Sequence, residues 1–274
     1  MFKINNKKII VIVVILLSIF MVNLLSACTL TMGYRSNERQ PLINKKPDNS
    51  GLYKSLYSLA ATELGCQLKI VRGPKKRILK LLKLGRIDFY PGFNLTTKRA
   101  ESFFYMVNGL PGGDMGVSRE DLPNITSLEQ LKGKTLLTSS GAPDFLQGIK
   151  GVNIHNVKEM NLKKAFNMLK INRGDFYIYN KSSLDYYIKK FNVDYIKKHP
   201  DCCGGVLPLY LAFSKKSPLI DELKNTNYDH FKPISMTNLP TVLNPSSFAY
   251  KFQSILLKMS KEGVTQDLYD KFYQ

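Results

Sequence analysis

Between residues 29 and 90 the chain alternates strand-like and helix-like periodicity, and that alternation restricts the fold more than any other feature. TLTMGYR (29–35) reads as a strand. A polar loop holding Pro41 and Pro47 follows. Ser50 stands where it caps a helix over 51–64, in which Leu52, Leu56, Leu59, Ala60 and Leu64 recur at helical spacing. Gly65 ends that helix. QLKIVR (67–72) is the next strand, residues 74–84 a second helix opened by Pro74 and closed by Gly85, and 87–90 a third strand. Consecutive strands joined by helices pair in parallel, because a parallel pair needs a long crossover.

The same rhythm restarts near residue 114. DMGVSRE is a strand, Ser127 opens a short helix in SLEQLKGK, and KTLLTSSGAPDF is a strand that turns at Gly141 into another helix. VNIHNV, 161–172, DFYIYN and 181–191 then read as strand, helix, strand and helix, so a second α/β unit spans roughly 114–205. VLPLYLAFSKKSPLIDEL predicts an apolar strand and a helix starting near Ser217. Residues 225–246 form an Asn/Pro-rich loop, and helices over 247–261 and 264–273 meet at Gly263. There is no internal repeat. A length of 274 residues fits one large domain or two modest ones, and 44% hydrophobic residues excludes global disorder.

The first 27 residues read as a signal peptide. Lys3, Lys7 and Lys8 precede an apolar run over 9–25, and Leu25-Ser26-Ala27-Cys28 supplies the small residue before a cut. The run is shorter than the ~20 apolar residues of a typical membrane span. Two readings stand at Cys28. One is ordinary cleavage after Ala27. The other is lipidation, since the four residues resemble a bacterial lipobox; against it, the first strand begins at Thr29 and leaves no tether. The localisation read from this is periplasmic, or membrane-anchored on the extracytoplasmic side.

Export makes disulfides permissible for Cys28, Cys66, Cys202 and Cys203, and four cysteines allow three complete pairings. No Cys/His spacing of zinc type occurs, and the three histidines are isolated, so neither a metal nor another cofactor is expected. The formal net charge is +19; residues 1–27 carry three lysines and no acids, leaving 19 − 3 = +16. Nucleic acid is not the expected partner, because an exported chain rarely meets it and no compact basic-aromatic motif appears. The charge reads as a lysine-rich solvated surface that favours anionic membranes or anionic solutes.

Four stretches carry a resemblance. GPKKRILKLLKLGRIDFYPGFNLTTKRAE, ITSLEQLKGKTLLTSSGAP, NRGDFYIYNKSSLDYYI and the pair YLAFSKKSPLIDEL and FQSILLKMSKEGVTQDLYDKFYQ occur in this order. In the first, Pro74, Arg77, Leu79, Leu82, Gly85, Asp88, Gly92, Thr96 and Arg99 match in spacing. The chain resembles the bacterial extracellular solute-binding proteins of family three, the type that serves polar amino acid transporters, over nearly all of 29–274, with an expanded loop at 225–246. The resemblance implies an α/β, two-lobed periplasmic-binding-protein-like fold of type II, each lobe a mostly parallel sheet flanked by helices. Lobe one would comprise 28–112 and 213–274, and lobe two 113–212, with a two-strand hinge near 113–117 and 207–212. The strands after Cys28 and Cys66 would then be neighbours, which opens a Cys28–Cys66 bridge as an alternative to lipidation of Cys28, the two being mutually exclusive; the sequence does not choose between them. A small-molecule ligand would bind between the lobes, beyond the carboxyl ends of the strands. A monomer working with an ABC permease in the inner membrane is implied.

The resemblance also assigns residues. Arg99 matches the arginine that grips a ligand carboxylate, a task suited to a planar guanidinium. Gly92 and Asn94 match a strand tip that contacts ligand, with Asn where Ser or Thr is usual; a plain Pro-Gly turn is the structural alternative. Ser140 and Gly141 match a second-lobe loop whose amides receive an anion. Asn180 stands where relatives place an acid for the ligand's ammonium group, and it also suits a helix N-cap; Tyr179 beside it should face the cleft. Lys75 replaces an aromatic platform, with Arg77 beside it, and Arg35 and Arg39 replace an acid and an aromatic in the first loop. Either these form a solvated basic face, or they make the cleft cationic and suited to a carboxylate-rich or anionic molecule. The function expected is capture of a small carboxylate-containing ligand, amino-acid-like or anionic, between the lobes for ABC-type uptake. The alternatives are a transporter-independent sensor of the same fold and, with less support, a dehydratase-like enzyme, since no paired carboxylates or nucleophile–base motif occupies the matched positions.

Overall fold

The computed structural model describes residues 28–139, 145, 146, 148–158 and 160–273. The expected signal peptide, with its localisation, and the Ser140–Gly141 loop lie outside the described residues; of the stretch expected to be helical after that loop, residues 145, 146 and 148 are described and form turns.

The first unit forms as its periodicities dictate. Strand β1 (Cys28–Arg35) pairs in parallel with β2 (Cys66–Gly73) and β3 (Phe89–Pro91), and helices α1 (Leu52–Thr62) and α2 (Lys75–Lys83) cross between them. Cys28 and Cys66 are register partners and form a disulfide, and Cys202 bonds to Cys203. A sulfur in that first bridge has no valence left for a lipid. Asp88, in the turn before β3, ties this flank together: Oδ2 accepts from the Thr31 amide at 2.7 Å and Oδ1 from the Ser217 hydroxyl at 2.6 Å. After a single-turn helix α3 (Thr97–Ala100), the long strand β4 (Phe103–Arg119) runs into the second unit.

That unit contains a 3-10 turn at Leu128–Leu131, β5 (Thr135–Ser139), β6 (Asn153–Val157), α4 (Leu162–Lys170), β7 (Phe176–Asn180), α5 (Lys181–Lys190) and β8 (Ile196–His199). The turn is held by a capping box between Ser127 and Gln130. Strand β9 (Gly205–Ser214) returns beside β4. The chain closes with a β10 (Glu222–Lys224) and β11 (Thr241–Leu243) hairpin and helices α6 (Phe248–Lys261) and α7 (Val264–Tyr273).

The main sheet has the order β2-β1-β3-β9-β4-β7-β5-β6, with β8 also paired to β4. Its two flanks are parallel, and the pairs made by β9 and β4 at its centre are antiparallel. Between Val107 and Pro111 the β4–β9 register shifts, at Gly109 with φ 79°. The apolar core divides at the same place. The largest cluster draws its fully buried members from 30–110 and 211–259, and two smaller clusters draw theirs from 115–202.

Two local expectations are corrected. No helix starts at Ser217: its hydroxyl is donated to Asp88 and accepts from the Leu219 amide, which makes a turn, and the apolar residues beyond it feed β10. Ser50 does not cap α1. Gly51 does, with φ 129°, while Ser50 bonds Asp48 and Asn44. Residues 103–113, to which the sequence pattern assigns no element, are the first half of β4, because β9 completes their hydrogen bonds on one side.

Candidate functional site

A cleft of 580 Å³ opens where the two halves of the sheet meet, beyond the carboxyl ends of β1, β3 and β7. Of the residues expected to bind ligand, Arg35, Arg39, Lys75, Gly92, Asn94, Tyr179 and Asn180 line it. Arg77 and Arg99 are not in the lining, and Ser140 and Gly141 lie outside the described residues.

Arg35 ends β1, directly after Tyr34, whose buried ring stacks on Tyr90 at 5.3 Å and meets Tyr53 edge-on at 5.7 Å. Arg39 lies in a loop closed by reciprocal backbone bonds with Ile43, 2.9 and 3.0 Å long. One side chain organises the whole segment. Arg72 of β2 donates to the carbonyls of Arg35 and Asn44 at 2.8 Å, to those of Ser36 and Asn37 at 3.2 Å, and to Asn49 Oδ1 at 2.6 Å. The guanidinium fork saturates carbonyls that a loop would otherwise leave to water. Sequence reasoning missed this role, because an arginine in QLKIVR looks like an ordinary polar position of an alternating strand.

The Nε–H groups of Arg35 and Arg39 are buried and have no hydrogen-bond partner among the described residues. No carboxylate among the described residues lies within salt-bridge distance of either. Arg39 instead stands over the Tyr179 ring, 5.3 Å from its centroid. The Arg39 charge is the first cause of a lowered Tyr179 phenol pKa, with Arg35 adding to it against the opposing effect of burial. Lys75 is exposed by surface area yet close enough to its neighbours to lose solvation; that loss, then the charges of Arg35, Arg99 and Arg39, push its pKa down. Four cations therefore share one electrostatic neighbourhood.

The one acid in the described lining is Asp114, from the crossing segment of β4. Desolvation raises its pKa, and Arg39 opposes that rise. An aspartate directly after Pro111-Gly112-Gly113, inside a strand, was the available signal: Asp is depleted in strands. Three lining cations (Arg35, Arg39, Lys75) against one acid leave the described wall at a formal 3 − 1 = +2.

The remaining expected residues have defined tasks. Gly92 adopts φ 67°, its amide donates to the Tyr210 carbonyl at 2.9 Å, and a Cβ there would come within 2.8 Å of the unpartnered Tyr53 hydroxyl. Asn94 presents its side chain outward while its carbonyl accepts from Arg99 Nη1 and Tyr105 Oη, both at 2.9 Å. Arg99 also lies 4.0 Å from the Phe93 ring centroid, behind the cleft wall. Asn180 caps α5: Oδ1 accepts from the Ser183 amide and hydroxyl, and Nδ2 donates to the Gly113 carbonyl at 3.2 Å.

A buried serine–histidine pair lies away from the cleft and is not arranged for catalysis. His199 Nδ1 accepts from the Ile125 amide at 3.0 Å, so Nε2 carries the proton and donates to Ser118 Oγ at 2.8 Å. The Ser118 hydroxyl is donated to the Arg119 carbonyl.

No protein-family model and no curated protein matches the chain. Solved structures do. An ancestral arginine-binding protein bound to arginine is 22% identical over 90% of this chain and 98% of its own, with a TM-score of 0.62. The GluR0 ligand-binding core in complex with L-glutamate is 14% identical over 91% and 100%, with a TM-score of 0.68. The L-cystine solute receptor of Neisseria gonorrhoeae, in its unliganded open conformation, is 17% identical over 93% and 96%, with a TM-score of 0.59. The parallel flanks, the central antiparallel strands and these matches over whole chains agree: this chain has the mixed α/β, two-lobed fold of the periplasmic solute-binding proteins.

Proposed function

We propose that the chain is an exported solute-binding protein that captures a small, net-anionic, carboxylate-containing ligand between its lobes for ABC-type uptake. The observation that carries this reading is the pair of cleft arginines whose buried Nε–H groups have no acceptor. An unsatisfied buried donor costs about 1–3 kcal/mol, and a ligand carboxylate would supply the acceptor that each Nε–H lacks. Lys75 adds a third positive charge, and Tyr179 and Asn180 form the facing wall. Gly92 and Asn94 shape the strand tip, and Ser140 and Gly141 add amide donors from the second lobe. Arg99 and Arg77 act through the field, Arg99 being already committed to the Asn94 carbonyl.

In this reading lobe one is 28–112 with 213–274, lobe two is 113–212, and residues 1–27 direct a monomer to the periplasm or the outer face of the membrane. No helix among the described residues is long and apolar enough to cross a membrane. A second reading, a transporter-independent sensor, draws on the likeness to the GluR0 ligand-binding core.

A thermal-shift screen over dicarboxylates, phosphorylated solutes, and neutral and cationic amino acids tests the proposal, since ligand binding stabilises the folded state. Carboxylate anions are expected to raise the midpoint. Shifts confined to neutral zwitterions would refute the anionic assignment.

A further inference from the structure

The cations occupy only part of the cleft wall. The rest mixes polar and apolar residues, and part of its apolar surface comes from the long segment between β10 and β11, where Ile234 and Met236 enter the lining beside Ser235. The same lining includes Leu207 of β9, 53% exposed in a strand whose continuation, Leu211 to Phe213, is fully buried. A large aliphatic side chain left exposed inside a concave site marks an apolar contact surface.

The segment carrying Ile234 and Met236 is built, not loose. Asn238 is buried and its amide donates to the carbonyls of Asp229, Lys232 and Pro233, at 2.9, 3.2 and 3.2 Å. Its Oδ1 accepts from the Asp229 amide at 2.9 Å, and Asn225 Nδ2 donates to the Leu239 carbonyl at 2.7 Å. Ile234 and Met236 are only partly buried against the core below. Met236 also borders a second hollow of 300 Å³, whose wall includes Phe104, Leu239 and Leu243. A single unbranched thioether chain thus stands between the two spaces, and methionine changes rotamer readily.

Resting on the anionic-ligand reading above, we infer that the ligand carries an apolar body behind its charged group, and that Ile234 and Met236 are specificity residues that receive it. The arginine side holds the carboxylate, and the Ile234–Met236–Leu207 side removes the apolar part from water. The ligand class is an amphipathic organic anion, an aryl- or alkyl-substituted carboxylate.

Calorimetric titration of the purified protein with succinate and with phenylsuccinate tests this, because the two carry the same carboxylates and differ by one phenyl group. Phenylsuccinate is expected to bind at least tenfold more tightly. Ile234→Asn and Met236→Gln, made separately, are expected to reduce that preference to below threefold while leaving succinate within twofold of wild type. The unliganded melting midpoint of each variant reports its folding, and should both variants misfold, the wild-type pair alone decides. Equal or tighter binding of succinate, or variants that weaken both ligands alike, would overturn the inference and leave the anionic reading intact. Binding of neutral or cationic solutes with no response to either dicarboxylate would overturn both.

Discussion

Asp114 and Asn180 are register partners across the antiparallel pair β4–β7, and both line the cleft. Asn180, where the sequence resemblance leads one to expect an acid for a ligand ammonium group, is an amide occupied as a helix cap. The acid stands one strand away, in the field of Arg39. For a net-anionic ligand Asp114 is a like charge. At a separation of order 8 Å and an effective dielectric near 20, its repulsion is about 1–2 kcal/mol before screening. Asp114→Asn should therefore tighten dicarboxylate binding roughly fivefold in calorimetric titration. Loss of binding instead would identify Asp114 as the partner of a ligand ammonium group.

Arg39 should show the signature of a residue kept for binding at the expense of stability. Its Nε–H is buried without an acceptor, so replacing it removes an unsatisfied donor. Arg39→Met should leave the unliganded melting midpoint unchanged or raise it, by about 2–4 °C for each kcal/mol gained, while cutting the carboxylate-induced shift severely. A midpoint lowered by several degrees would mean that the stacking of Arg39 on Tyr179 outweighs the orphaned donor.

Arg72 positions the two cleft arginines without touching the cleft itself. Its five hydrogen bonds hold 35–49 in place. Arg72→Ala should cost about 2 kcal/mol in denaturant unfolding and also weaken ligand binding about tenfold. Arg72→Lys, which keeps the charge and loses the fork, should recover little of either. Full binding by a destabilised Arg72→Ala protein would show that the loop keeps its shape without the clamp.

His199 links stability to pH. Burial, with a smaller contribution from Lys197, lowers its pKa to about 4, and a second proton would put an N–H against the Ile125 amide. The unfolded chain titrates near 6.5. Below that pH the unfolded state takes up a proton that the folded state refuses, so stability falls as pH drops from about 6.5 and the loss saturates below about 4. By pH 5 this amounts to about 2 kcal/mol. Unfolding curves from pH 7.5 to 5 should show the fall, and His199→Gln should flatten it. An unchanged slope in that variant would assign the effect elsewhere.

The elements that the sequence makes legible are those whose stability is local in origin. Helices with one apolar face and short alternating strands follow from periodicity, and the Asn161 and Asn180 caps follow from residue type. What escapes is set by distant partners. Residues 103–113 contain Asn, Pro and three glycines, and only pairing with β9 makes them a strand. The run after Ser217 resembles a capped helix until Asp88, 129 residues earlier, takes the serine hydroxyl. In the site, the basic character of Arg35, Arg39 and Lys75 is visible in the sequence, whereas the lack of an ion pair to either arginine among the described residues is a fact of three-dimensional packing. Asp114 and Arg72 act across strands, so no local pattern announces them.

The claim that these two arginines hold a ligand carboxylate is tested most directly by titrating wild type and the Arg35→Met/Arg39→Met double variant with the carboxylate that gives the largest thermal shift. The account predicts saturable binding by wild type and at least a hundredfold loss in a double variant that still unfolds cooperatively. A folded double variant that binds as tightly as wild type would contradict it.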